Sequence, residues 1–293
     1  MGASRVPTPP PAPMWTRSLP PSCTERALMS PRHPPASRVA SLRGLATAAF
    51  ALLLIAAGST HAGNLQVAPI LLEFAHGQHS QTLWLANTGQ HPLRAQIRVQ
   101  QWTQAGQQDV LQPSDALLAS PPLIEIAAGH SQLVRLVQAE PGINDLEKAF
   151  RLIVDELPGD ADTPVPSLQF LLRYSIPVFV LPPGAVPQLE RSGGRLPTDA
   201  HHLQGHWTKE RGNLSLVLHN HGTQRIRISQ LRWVTPTGPD IELSPGLLGY
   251  VLPGAGVRWT LPLPSPLHGN GTLHARLNDD TDPQALPQIA AGQ

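Results

Sequence analysis

Cysteine is all but absent from this sequence: Cys23 is the single one in 293 residues. It stands in an N-terminal stretch that does not read as part of a folded body. A disulfide framework, thiolate catalysis and a cysteine zinc site are therefore excluded for the rest of the chain. Charge of one sign is also lacking, because 21 Lys and Arg balance 20 Asp and Glu to a net +1. That leaves no broad field for nucleic acid or an anionic membrane, so any basic site has to be local. Aromatic residues make up only 4%, which disfavours the exposed aromatic platforms of sugar-binding loops. Sustained helical periodicity is missing, as are a phosphate-cradling glycine loop and a nucleophile-elbow serine.

What is present begins with an export signature. The segment 44–58 (GLATAAFALLLIAAG) is apolar, follows Arg38 and Arg43, and precedes Thr60-His61-Ala62 with short side chains where a signal peptidase reads. Its apolar core of about 15 residues is shorter than the roughly 20 of a membrane span. Residues 1–62 are read as an N-terminal extension plus signal peptide, with a mature start near Gly63 and Met1, Met14 and Met29 all open as start codons. A mature protein freed of this segment is not an integral membrane protein.

From Gly63 onward, short runs of period-two or β-branched character are separated every 8 to 14 residues by Gly, Pro, Asn or Asp. This is the pattern of β-sandwiches. Strands are expected over 65–74, 81–87, 93–102, 123–126, 131–137, 149–156 and 168–181, an immunoglobulin-sized set spanning 63–181. Leu181-Pro182-Pro183-Gly184-Ala185-Val186-Pro187 breaks the pattern, since proline gives no ladder donor and fixes φ. Residues 182–187 read as a stiff elbow. A second sandwich over 188–278 is expected from strands at 205–209, 213–220, 225–233, 241–243, 256–263 and 271–277, with 279–293 as a loose tail. The fold class is all-β, in two domains.

Chemistry is sparse. His219 and His221 share a strand face and could present two imidazoles to a metal, but no third ligand has the spacing. A turn at Asn220-His221-Gly222 explains them as well, and His201, His202 and His206 fall in a loop. Adjacent Asp155 and Glu156 face opposite ways on a strand and cannot work as an acid–base pair. No catalytic, metal or cofactor site is expected, and the protein is read as a non-enzyme. Trp84, Trp102, Trp233 and Trp259 fall inside expected strands and are read as core.

The most informative element is 168–180, LQFLLRYSIPVFV, in which Leu168, Phe170, Leu172, Tyr174, Ile176, Val178 and Val180 share one face. A long core strand would look like this. So would a strand whose first half lies at an edge, offering unpaired backbone groups and apolar side chains to another protein's sheet.

That strand, the preceding Phe150-Arg151-Leu152-Ile153-Val154-Asp155-Glu156-Leu157-Pro158, Ser120-Pro121-Pro122 with Gly129 and Val134-Arg135-Leu136, and Gln101-Trp102 before Gln104 resemble the periplasmic chaperones of the chaperone-usher pilus pathway. The likeness is greatest to the archaic, spore-coat-protein-U-associated branch, and extends through Gly246-Leu247-Leu248-Gly249-Tyr250-Val251-Leu252-Pro253. The resemblance implies two immunoglobulin-like sandwiches set at an angle in the periplasm of a Gram-negative bacterium. Pilin subunits would be held by donation of the last strand of the first domain and passed to an outer-membrane usher, without ATP. It implies that Leu168, Phe170, Leu172 and Tyr174 fill the pilin groove. The better-known relatives anchor the pilin C-terminal carboxylate with an arginine and a lysine whose matching positions here are Leu71 and Pro177. The candidates to replace them are Arg151 and Arg173, the alternatives being an ion pair of Arg151 with Asp155 or Glu156 and a solvent-facing charge at Arg173. Arg135 is read as structural. The competing function is an exported adhesin or carbohydrate-binding sandwich, with a histidine-based metal-binding protein third.

Overall fold

A computed structural model describes residues 64–140, 142, 145–158, 170–187, 198–236, 238–263 and 271–287. The expected signal segment, and Leu168 with it, lie outside them. Among the described residues the first domain has ten strands: β1 Leu65–Ala68, β2 Leu72–Phe74, β3 Ser80–Asn87, β4 Leu93–Ala105, β5 Gln108–Pro113, β6 Leu117–Ser120, β7 Leu123–Ile126, β8 Ser131–Gln138, β9 Lys148–Leu157 and β10 Arg173–Val180. One sheet runs β1-β3-β8-β6 and the other β2-β10-β9-β4-β5, with β7 also on β4. All pairs are antiparallel except β2 with β10, which run parallel.

The expected strand 65–74 is split, because Pro69 has no N–H to offer and the chain crosses from one sheet to the other between β1 and β2. The hairpin β4–β5 and strand β6 are additions to the expected set. Its tip is Gly106-Gln107, both at positive φ, as a two-residue turn matched to strand twist requires. Alternate residues of the two sheets, among them Leu83, Leu85, Ile97, Val134, Leu136, Leu152 and Val154, fill the first core. At the end of β3, buried Asn87 donates to the carbonyls of His91 (2.8 Å) and Ile126 (2.9 Å) and accepts from the N–H of Gly89 (2.9 Å). One side chain thus satisfies three backbone groups.

The second domain repeats the plan with β11 Leu203–Glu210, β12 Asn213–Asn220, β13 Ile226–Val234, β14 Ile241–Val251, β15 Gly256–Pro262, β16 Thr272–Leu277 and β17 Gln284–Ala285. Its sheets run β11-β12-β15 and β14-β13-β16-β17. Asn220, at the end of β12, makes the same three bonds, to the carbonyls of Gln224 (2.8 Å) and Val251 (3.0 Å) and from the N–H of Gly222 (2.9 Å). The segment read as a loose tail carries β17 and places Leu286 in the second core.

Both sandwiches belong to one compact unit, and several contacts join them. Trp102, Ala149, Phe179 and Leu181 of the first domain pack with Leu252 and Tyr250 of the second. Gln104 donates to the Tyr250 carbonyl and accepts from the Leu252 N–H, both at 2.8 Å. The β4–β5 tip holds Arg258 of β15 through the Gln107 side chain (2.7 Å) and carbonyl (3.1 Å). Arg225 reaches from the second domain to Glu73 and Glu147 of the first.

Candidate strand-donor edge and interdomain cleft

β10 is bordered unequally. Its partner β9 runs beside the whole of it, from Arg173 opposite Asp155 to Val180 opposite Lys148. On the other side β2 reaches only Val178, Phe179 and Val180. Among the described residues no strand covers the first half on that side. The Leu172 carbonyl accepts from the Glu156 N–H at 2.9 Å, so even-numbered residues turn their backbone groups toward β9. By alternation, Leu171, Arg173 and Ser175 turn theirs outward to the open edge. Pro177, the next outward position, has a carbonyl and no N–H, and it closes the row of donors.

The side chains of the even positions divide along the strand. Ile176, Val178 and Val180 lie in the first core, with Ile176 at 3% exposure. Leu172 and Tyr174 are part-buried against the same core. Phe170 is 73% exposed. The apolar face thus runs out of the core and off the edge of the domain. The Tyr174 hydroxyl donates to the Leu65 carbonyl at 2.6 Å.

The odd positions face the other way. Rows Gln96–Asp155–Arg173, Arg98–Ile153–Ser175, Gln100–Arg151–Pro177 and Trp102–Ala149–Phe179 cross β4, β9 and β10 on the outer face. The last row is covered by the second domain, so the rows before it form the wall of a cleft. Trp102 is buried, but against the second domain rather than in the first core, with Tyr250 edge-on at 5.5 Å between centroids. Trp84, also expected in the core, instead stands half exposed on the outer face of the other sheet. Trp233 is buried in the second core and Trp259 is packed against it.

Arg151 and Arg173 both lie on the cleft face, but the fold does not bring them together. Arg173 is level with Asp155, four residues along β9 from Arg151, or roughly 13 Å. Arg173 and Arg98 both bind the Asp155 carboxylate, Arg98 at 2.5 Å. Burial pushes the Asp155 carboxyl up, but the hydrogen bonds and charges of Arg173 and Arg98 outweigh it and hold it below its ordinary value. Arg151 makes neither of the expected ion pairs, since Asp155 is taken by its two arginines and Glu156 accepts from the Leu172 N–H at 3.2 Å. Its guanidinium stacks over Trp102 at 3.8 Å and lies 5.9 Å from the Tyr250 ring. Burial lowers its pKa, against the opposing influence of Tyr250 and Asp109; an arginine so placed is still charged at neutral pH. Arg135 lies on the exposed face of the other sheet, opposite Thr82 and Ser120.

Sequence reasoning missed the cleft partners Tyr250, Arg98 and Gln104, and the cluster of Arg225 with Glu73 and Glu147. A signal existed for Trp102, which shares a strand face with Arg94, Gln96, Arg98 and Gln100. A large aromatic on an otherwise polar face requires a cover. Among the described residues no group of three metal-ligating side chains occurs. His221 meets Gln204 at 3.1 Å. Nor is any described helix long and apolar enough to cross a membrane.

Residues 64–185 match the family described as pili and flagellar-assembly chaperone, PapD N-terminal domain. No curated protein matches the chain. Among solved structures, the CsuC–CsuE chaperone–tip adhesion subunit pre-assembly complex from archaic chaperone-usher Csu pili of Acinetobacter baumannii is similar at 23% identity and a TM-score of 0.56, over 78% of this chain and 100% of that one. The Salmonella enterica SafA pilin in complex with the SafB chaperone matches at 16% identity and a TM-score of 0.51, over 78% and 97%. The YadV chaperone matches at 18% and 0.50, over 76% and 98%. The first sandwich of this chain thus matches the PapD N-terminal domain family, and the chain as a whole carries the two-domain immunoglobulin-like fold of these solved chaperones.

Proposed function

We propose that this protein is a periplasmic, non-enzymatic assembly chaperone. On this reading it is exported by the segment 44–58, binds pilin subunits by donating residues 168–172 and the first half of β10, and hands them to an outer-membrane usher. The observation that carries the reading is the open edge at Leu171, Arg173 and Ser175, running alongside an apolar face that leaves the core at Leu172 and Phe170. A pilin lacking its last strand presents the complement, an apolar groove and an unpaired edge. Leu168, Phe170 and Leu172 are assigned to the groove, each large apolar side chain contributing roughly 1.5–3 kcal/mol on burial. Tyr174 is already engaged at its hydroxyl with the Leu65 carbonyl.

Arg151 is assigned as the anchor of the pilin C-terminal carboxylate. Its guanidinium lies in the cleft over Trp102, with Asp109 acting on it electrostatically but, among the described residues, no carboxylate in a salt bridge with it. Arg173, whose charge is shared with Asp155, is the second choice. The test is co-expression of the full chain with each small exported protein encoded beside it, comparing wild type with Phe170→Asp. Soluble complex should form with wild type and disappear with Phe170→Asp, whose exposed site leaves the free protein folded. Equal yields would refute strand donation through this residue.

A further inference from the structure

Among the described residues, the mouth of the first sandwich has a second open edge besides that of β10: β1 pairs there with β3 alone. The Thr88 N–H donates to the Asn64 carbonyl at 2.8 Å, while the N–H and carbonyl of Asn87, opposite Leu65, are bonded to His130 and Gly129 on the β8 side. Leu65 therefore turns its backbone away from β3, to the open edge, as does Val67, before Pro69 ends the strand. β1 thus offers two outward carbonyls to an incoming strand. One of them, at Leu65, is already bonded to the Tyr174 hydroxyl, which reaches it from the opposite sheet.

We propose that Tyr174 guards the β1 edge, its hydroxyl occupying the Leu65 carbonyl and its ring spanning the mouth between the sheets, so that a partner strand is steered to β10. This rests on the reading of β10 as a strand-donor edge. Strand addition at β1 must displace the tyrosine hydroxyl or share the Leu65 carbonyl with it, to gain a ladder of two outward residues. Addition at β10 meets three, at Leu171, Arg173 and Ser175, and leaves the tyrosine in place. Tyr174 is then a specificity-determining residue and not a fourth groove filler, since its side chain is directed into its own domain.

Tyr174→Phe removes the hydroxyl and keeps the packed ring; Tyr174→Leu keeps an apolar side chain and loses the reach. In the free full-length protein, amide hydrogen exchange over 65–68 should rise about five- to tenfold in both variants, the loss of one neutral hydrogen bond, with no change over 171–176. With the pilin found by co-expression, both variants should still form the complex. Wild type should gain protection over 171–176 alone, and the variants over 65–68 as well. Unchanged exchange over 65–68 in the free variants would overturn the guard, and loss of the complex in Tyr174→Phe would make Tyr174 a groove residue. Should wild type bind no pilin, strand donation fails and steering with it, whereas the free-protein exchange still decides whether the hydroxyl holds the β1 edge.

Discussion

Glu147 should make this protein more stable as the pH falls from 8 to 5. Its side chain is fully buried at the domain junction, where Arg225 Nη1 donates to it at 2.7 Å and the Arg225 N–H at 3.2 Å. The same guanidinium binds Glu73 and lies 3.6 Å above the Phe179 ring. Two carboxylates thus contact the same guanidinium in a dry site, and the Glu73 charge favours uptake of a proton by Glu147. Burial is the larger cause, with Arg225 opposing and Glu73 adding, and the Glu147 carboxyl is pushed from 4.5 up to about 7. Between these values the folded protein holds a proton that the unfolded chain releases, so the contribution is full below about 4.5 and is lost as the pH rises through 7. Integrated from pH 5 to 8 the change is about 2–3 kcal/mol, or roughly 1 M in the urea midpoint of a protein this size. Glu147→Gln is neutral throughout and removes this slope. Its absolute stability also changes, because an amide cannot accept at both oxygen positions, so the measurement is the difference between the two pH profiles. Asp155, held below its ordinary value, loses its contribution only in acid below this window. Urea midpoints at several pH values decide the matter: parallel profiles for wild type and Glu147→Gln would refute the shared-cation argument.

Two further outcomes follow from the geometry. Arg151→Ala should abolish recovery of the pilin complex while the free protein loses only the cation–π contact over Trp102, about 0.5–2 kcal/mol. Arg151→Lys should restore only part of it, having no planar fork for a carboxylate, whereas Arg173→Ala should leave the yield unchanged; equal complex from Arg151→Ala and wild type in pull-down would reject the anchor. Asn220→Ala strips partners from two carbonyls and one N–H at the end of β12, and should cost about 3 kcal/mol in urea denaturation. Asn87→Ala should cost a similar amount, and a loss below about 1 kcal/mol at either would mean that water replaces the side chain.

Where strands alternate against a core, their pattern is written in the sequence. Strands β7 and β12 fall on the expected bounds, and β3, β8 and β9 within a residue or two, because Leu83, Leu85, Val134, Leu136, Leu152 and Val154 repeat with period two. β5 is different. Its residues Gln108–Pro113 are exposed or half exposed on both faces, so no period marks them and only pairing with β4 makes them a strand. The break between β1 and β2 did leave a trace, since the buried positions change parity from Leu65 to Leu72 and Phe74. Pro245-Gly246 hid the length of β14, which continues through them by slipping register against β13. The apolar face of β10 was readable, whereas its open edge depends on how far β2 extends. The Glu73–Arg225–Glu147 cluster joins residues 152 and 78 positions apart, and no local pattern announces it.

Pro177 links the two halves of the candidate site. It is the outward position at which a strand added to β10 would seek its next N–H, and it has none to give. One residue later β2 takes over the edge, so the open stretch ends there for two independent reasons. The register partner of Pro177 on β9 is Arg151, the cation of that row. An added strand that runs out of backbone donors at Pro177 therefore ends level with Arg151, across β10 from it, and a chain terminus is the one strand end that brings its own negative charge. On the proposed reading, the cation expected from the resemblance at position 177 would be supplied across the ladder by Arg151 on β9, and Pro177 would set where an added strand stops.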